Sequence, residues 1–196
     1  GIDLDRFRPS PSPTPPDRPF RFLFVGRLLR DKGVVEYADA ARMLQPRWPG
    51  VEFALLGSTA SDNPSAVPTA EVERWQSEGI VNWLGETDDV RPFLMAADCV
   101  VLPSYREGLP RSLLEAAATA KPMIATNVPG CSDLVEHEVT GLLCEARSAA
   151  SLATAMEAML GLAPEHRAAM GARARELAER AFDQAIIART YLEALQ

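Results

Sequence analysis

Six short apolar runs recur along the chain and alternate with stretches of helical periodicity, and no other feature constrains the fold as strongly. The runs are RFLFVG (21–26), VEFALLG (51–57), IVNWLG (80–85), CVVLP (99–103), PMIAT (122–126) and TGLLC (140–144). They are near-continuous in apolar character, the pattern of strands covered on both faces in a parallel sheet. Between the first two runs, Val34, Tyr37, Ala38, Ala41, Leu44 and Trp48 repeat at three and four, an amphipathic helix stopped by Pro49-Gly50. Further helices are expected through Trp75, over Val90–Ala97 with Pro92 in the first turn, and over Leu109–Ala120. Three more close the chain: Leu152 to Leu160, Pro164 to Leu177, and one capped by Asp183 that carries Ile187, Tyr191 and Leu195 at spacing four. The fold class is therefore α/β, a doubly wound parallel sheet of about six strands with helices on both faces.

At 196 residues the chain is sized for one large domain. Residues 9–19, PSPSPTPPDRP, are proline-rich and read as a linker or strap, so that the domain body begins at Phe20. A first residue of Gly points to a piece of a longer protein. With 27 acidic against 20 basic residues the net charge is −7, which argues against a dedicated nucleic-acid partner or anionic-membrane binder. No apolar run approaches the 18 or so residues of a membrane span. Cys99, Cys131 and Cys144 lack metal-ligand spacing, and Cys99 reads as a small buried hydrophobe; neither a disulfide framework nor a metal site is expected, and a cytoplasmic setting fits best.

Rossmann-like sheets bind ligands outside the carboxyl ends of their strands, which directs attention to the loops there. After the first strand comes VGRLLRDKG (25–33), where Gly26 permits a tight turn and Arg27 and Lys32 project near a helix N-terminus. Two cations beside a positive helix end make a seat for a diphosphate. Neither GxGxxG nor GxxxxGK[ST] is present, so the dinucleotide fingerprint and the P-loop are both missing. After the fourth strand comes PSYREGLPRSLLEA (103–116), with Glu107 in the loop and Glu115 two turns into the helix. Gly108 and Leu109 would offer free amides, Glu115 suits ribose hydroxyls, and Glu107 suits hydroxyls of a sugar. A plainer reading of the same residues makes Glu115 the wet edge of an amphipathic helix and Glu107 a cap. In WLGE (83–86), the backbone near Leu84 could read a base edge. No Ser-His-Asp or Cys-His set falls in the loops.

In this order and at these strand ends, the segments resemble glycosyltransferase family 4, the retaining sugar-nucleotide transferases of the GT-B fold. The resemblance runs from GIDLDRFRP, similar to a hinge entering the second domain, through VGRLLRDKG, FALLG, VNWLGE, ADCVVLPS, EGLPRSLLEA, KPMIATNVPG and TGLL. It implies one half of a two-domain GT-B enzyme: residues 1–19 the hinge from an N-terminal domain not present, 20–182 the nucleotide-sugar-binding domain, and 183–196 a crossover helix. It implies catalytic roles for Arg27, Lys32 and Glu107, with Gly26, Leu84, Gly108, Leu109 and Glu115 completing donor binding. The partners implied are a nucleotide-sugar donor, with UDP favoured, and a saccharide or lipid-linked acceptor held by the other domain. No cofactor or metal is required, because cations and helix dipoles stabilise the departing diphosphate. Bacterial surface-polysaccharide synthesis follows as the setting, in the cytoplasm or peripherally at the inner face of the membrane, and the isolated domain should transfer nothing. A sugar-nucleotide epimerase half and a non-catalytic nucleotide-binding module stand as alternatives. LLGSTASDN, after the second strand, departs from the Gly-x-Gly-like turn of many relatives.

Overall fold

The computed structural model describes residues 1–10, 18–59 and 62–186. Its strands are β1 (Phe20–Val25), β2 (Val51–Leu56), β3 (Asn82–Trp83), β4 (Cys99–Leu102), β5 (Met123–Thr126) and β6 (Gly141–Cys144). Its helices are α1 (Val34–Leu44), α2 (Thr69–Ser77), α3 (Arg91–Ala96), α4 (Arg111–Ala118), α5 (Ala149–Gly161) and α6 (Pro164–Leu177). All strand pairs are parallel, in the order β3-β2-β1-β4-β5-β6. Helix α1 packs on α5 and α4 on α6, covering opposite faces of the sheet. Every residue of β4 and β5 is buried, which is why those runs carry no polar alternation.

All six expected strands form, and their lengths follow local chemistry. The third pairs with β2 through only two residues, and the backbone then turns at Gly85, whose φ is +74°. Helix α1 stops at Leu44, before Trp48, because Pro46 has no amide to continue the ladder; Trp48 is retained by a turn in which its N–H donates to Leu44 O at 2.9 Å. The Tyr37 hydroxyl, fully buried under the sheet, lies 3.1 Å from both Phe22 O and Ala54 O and so ties α1 to β1 and β2.

Ahead of the proline-rich strap, the amino-terminal residues pack against the domain. Phe7 is 3% exposed and Ile2 is 4% exposed, both in the hydrophobic core. The Arg175 guanidinium donates to Phe7 O at 2.7 Å, and Ile2 N–H to Phe182 O at 2.8 Å. Arg18 makes a two-pronged ion pair with Asp98 at 2.8 Å per contact, fastening the chain at the entry to β1. The middle of the proline-rich strap and most of the last expected helix, with Ile187, Tyr191 and Leu195, lie outside the described residues. Its start is described: Asp183 Oδ1 accepts the Ala185 N–H at 2.8 Å, as a cap would.

Candidate functional site

From β1 the chain proceeds to one side of the sheet, and from β4 to the other. This reversal leaves a crevice at the carboxyl ends of two adjacent strands. A cavity of about 660 Å³ opens there, floored by Val25 and Leu102. Its two principal walls are the loop after β1 and the loop after β4, and backbone contacts lock them together. Asp31 O accepts the Tyr105 N–H at 2.9 Å and the Ser104 hydroxyl at 3.1 Å. Gly33, at φ +73°, lies so close to the second loop that a Cβ there would meet Pro103 O at 2.0 Å. From the other side Gly130 supports the same loop, since its Cβ would fall 2.2 Å from Gly108 O. Only glycine meets both requirements at these two positions, left-handed backbone and close approach.

The locked loops bring together side chains 75 positions apart: Lys32 Nζ donates to Glu107 Oε1 at 2.5 Å. The Glu107 side chain is 9% exposed, so its charge is met by a partner within the cavity wall. Lys32 sits in a 3-10 turn, Arg30–Lys32, immediately before α1. Arg27 is exposed, lines the same cavity and makes no ion pair among the described residues.

Glu115 projects into the cavity from the second turn of α4, where its side chain is 8% exposed. Burial pushes its carboxyl above the ordinary 4.5, against the opposing hydrogen bond and charge of Arg111 and the charge of Arg6. Arg111 Nε donates to Glu115 Oε1 at 2.9 Å, although the Arg111 side chain is itself 77% exposed. Glu115 is thus buried and not the wet edge of its helix. Glu107 is not a cap either: Pro110 occupies the N-cap position of α4 and no side chain caps that end. The Leu113 N–H donates to Pro110 O at 3.2 Å, which leaves the Arg111 and Ser112 amides of the first turn to the cavity wall that these two residues form with Leu109 and Pro110.

Of the eight residues singled out in the sequence, Gly26, Arg27, Lys32, Glu107, Leu109 and Glu115 line this one cavity. Gly108 is exposed between the lining residues Glu107 and Leu109, with its carbonyl backed by Gly130. Leu84 is placed elsewhere: its N–H donates to Leu55 O at 2.8 Å and it packs against the core, because the β2–β3 ladder continues past the short third strand. The structure also adds residues that the sequence reading missed. Arg6 and Phe7 come from the amino-terminal segment, and Thr87 to Val90 from the loop before α3. Arg111 was signalled by its spacing of four from Glu115, and Thr87 to Val90 by their place in the loop after the third strand; only the tertiary fold brings Arg6 and Phe7 close. In the second group, Asp89 is an N-terminal anchor for α3, held down to about 2 chiefly by the hydrogen bond from the Arg91 side chain. Among the described residues no three His, Cys, Asp or Glu side chains group as metal ligands.

Comparison with known proteins places this geometry. The family model described as glycosyl transferases group 1 matches residues 19–161. N,N'-diacetylbacillosaminyl-diphospho-undecaprenol alpha-1,3-N-acetylgalactosaminyltransferase of Campylobacter jejuni is 32% identical over 173 residues, covering 87% of this chain and 43% of that protein. Glycogen synthase of Mycobacterium tuberculosis is 31% identical over 176 residues, covering 89% of this chain and 42% of that one. Among solved structures, Anabaena HepE in complex with UDP and glucose superimposes with a TM-score of 0.85 at 26% identity, covering 100% of this chain and 55% of HepE. The chain spans about half the length of the curated relatives it matches. The fold is that of the C-terminal domain of GT-B glycosyltransferases.

Proposed function

The chain belongs to the glycosyl transferases of group 1, and we propose that its cavity holds the nucleotide-sugar donor of a retaining glycosyl transfer. The observation that carries this reading is the meeting, at one topological switch point, of Arg27, Lys32 and the uncapped end of α4 with two acids, Glu107 and Glu115. The cations and amides suit a diphosphate, and the acids suit hydroxyl groups. Lys32 has three donors, of which Glu107 takes one; two remain for phosphate oxygens. Glu115 Oε1 is engaged by Arg111, which leaves Oε2 to accept from a ribose hydroxyl. Glu107 then faces the transferred sugar.

In the transfer, the bond from the sugar's anomeric carbon to the diphosphate oxygen breaks and a bond to the acceptor oxygen forms on the same face. The acceptor's proton passes to the departing phosphate. Arg27, Lys32 and the α4 amides stabilise the negative charge that develops there, and no metal is needed for that role. UDP is favoured as the nucleotide, supported by the HepE complex. A saccharide or lipid-linked acceptor, in bacterial polysaccharide or glycolipid synthesis, is supported by the named relatives. In this reading the acceptor is held by a second domain, and the 196-residue chain alone binds donor without transferring sugar.

The test is calorimetric titration of the 196-residue chain with UDP, GDP and ADP, with and without EDTA. The proposal expects UDP to bind best and EDTA to leave the affinity unchanged. A folded chain that binds none of the three at millimolar concentration would contradict it.

A further inference from the structure

The amino-terminal segment brings a cation into the cavity from outside the sheet-and-helix framework. Arg6 lines the cavity next to Phe7 and stands 5.9 Å from the centroid of the Phe7 ring. Its backbone is fixed from several sides. The Arg6 N–H donates to Asp3 Oδ1 at 2.9 Å and the Phe7 N–H to Asp3 O at 3.0 Å. Phe7 is anchored in the core and held through its carbonyl by Arg175. The guanidinium is a different matter: it makes no ion pair among the described residues, although its charge bears on both Glu115 and Asp89. A forked cation lining the same cavity as a buried carboxylate, carried on a backbone fixed by Asp3 and Phe7 and paired with neither acid, has its donors available to a ligand. Lys32 and Arg111, by contrast, each already hold a carboxylate.

The geometry points to Arg6 as a donor-binding residue that grips the nucleotide half of the ligand, on the Glu115 side of the cavity and apart from the Lys32–Glu107 end. The inference rests on the reading of this cavity as a nucleotide-sugar site. It makes the amino-terminal segment part of the pocket, so that how this segment docks and how tightly the donor binds are coupled. An exposed charge such as Arg8, which pairs locally with Asp5 at 2.6 Å, should have no such role.

The experiment compares Arg6→Ala, Arg6→Lys, Arg8→Ala and Lys32→Ala in the 196-residue chain, titrated with UDP and with UDP-glucose. Melting temperatures are recorded in parallel. Losing a charged hydrogen bond predicts that Arg6→Ala weakens both ligands by the same factor, about tenfold or more, with the melting temperature unmoved. Arg6→Lys should recover part of the loss, and Arg8→Ala should stay within about twofold, since an exposed, locally paired charge contributes little. The affinity of Arg6→Ala should also respond less steeply to added salt, because one screened attraction has gone. If Arg6→Ala binds like the parent while Lys32→Ala binds less well, the role of Arg6 is refuted and the donor site stands. A loss confined to UDP-glucose would also refute it, by placing Arg6 at the sugar. If neither Lys32→Ala nor Arg6→Ala alters binding, the reading of the site itself falls with it.

Discussion

Two carboxylates face the same cavity, each gripped by a cation, and the two pairs are built in opposite ways. Lys32–Glu107 joins the loop after β1 to the loop after β4, across 75 positions of sequence, and both members stand on backbone that Gly33 and Gly130 press into place. Arg111–Glu115 lies within one helix at spacing four, and its cation is mostly in solvent. The first pair therefore depends on the tertiary fold, and the fold in turn gains from it. The second asks only that α4 be helical. What the contrast teaches is that two nearly buried acids of one cavity are met by different means: Glu107 by a shielded partner, Glu115 by an exposed one that only partly offsets its burial.

Breaking the loop contact should have the largest effect. Gly33→Ala forces a side chain onto Pro103 O at a backbone angle that L residues rarely adopt, so the chain should lose about 3 kcal/mol or more in denaturant unfolding. An alanine at the N1 position of α4 in place of Arg111 should do nothing comparable. Next comes binding: Lys32→Ala should weaken UDP by about 1.5–3 kcal/mol in calorimetry, the value of a charge-assisted hydrogen bond or two. Glu115→Gln should weaken UDP by about tenfold while leaving the chain no less stable at pH 7. The sign follows from the raised carboxyl. The folded state holds the proton more tightly than the unfolded one, so stability falls as pH rises from 4.5 through the raised value, and Glu115→Gln should flatten that part of the profile. The smallest effect sharpens the comparison itself. Double-mutant cycles on stability should give a coupling of about 1–2 kcal/mol for Lys32–Glu107, against about 0.5 kcal/mol or less for Arg111–Glu115, where solvent screens the cation.

Much of this was legible in the sequence, for reasons that can be named. Continuous apolar runs announced the parallel sheet, and VGRLLRDKG and EGLPRSLLEA each carried their chemistry within a few residues of a strand end. Glu115 was legible because an acid amid LLEAAATA is out of place unless something meets it. The contributions of Arg6 and Phe7 were not, since the burial of Phe7 depends on a pocket assembled by α4 and α6, far along the chain. Leu84 is not among the residues that line the cavity: its amide is used by β2 and its side chain by the core. The stop at Leu44 was written in Pro46, which the apolar periodicity through Trp48 conceals.

The central claim is that a nucleoside diphosphate binds between the loops that Gly33 locks together. Hydrogen exchange read by mass spectrometry, with and without saturating UDP, tests it directly because it reports where the ligand acts. The account predicts new protection over residues 26–33 and 107–115, with none around Leu142, His166 and Met170, which line a separate apolar pocket beside β6. Protection at that second pocket with the two loops unchanged would contradict it.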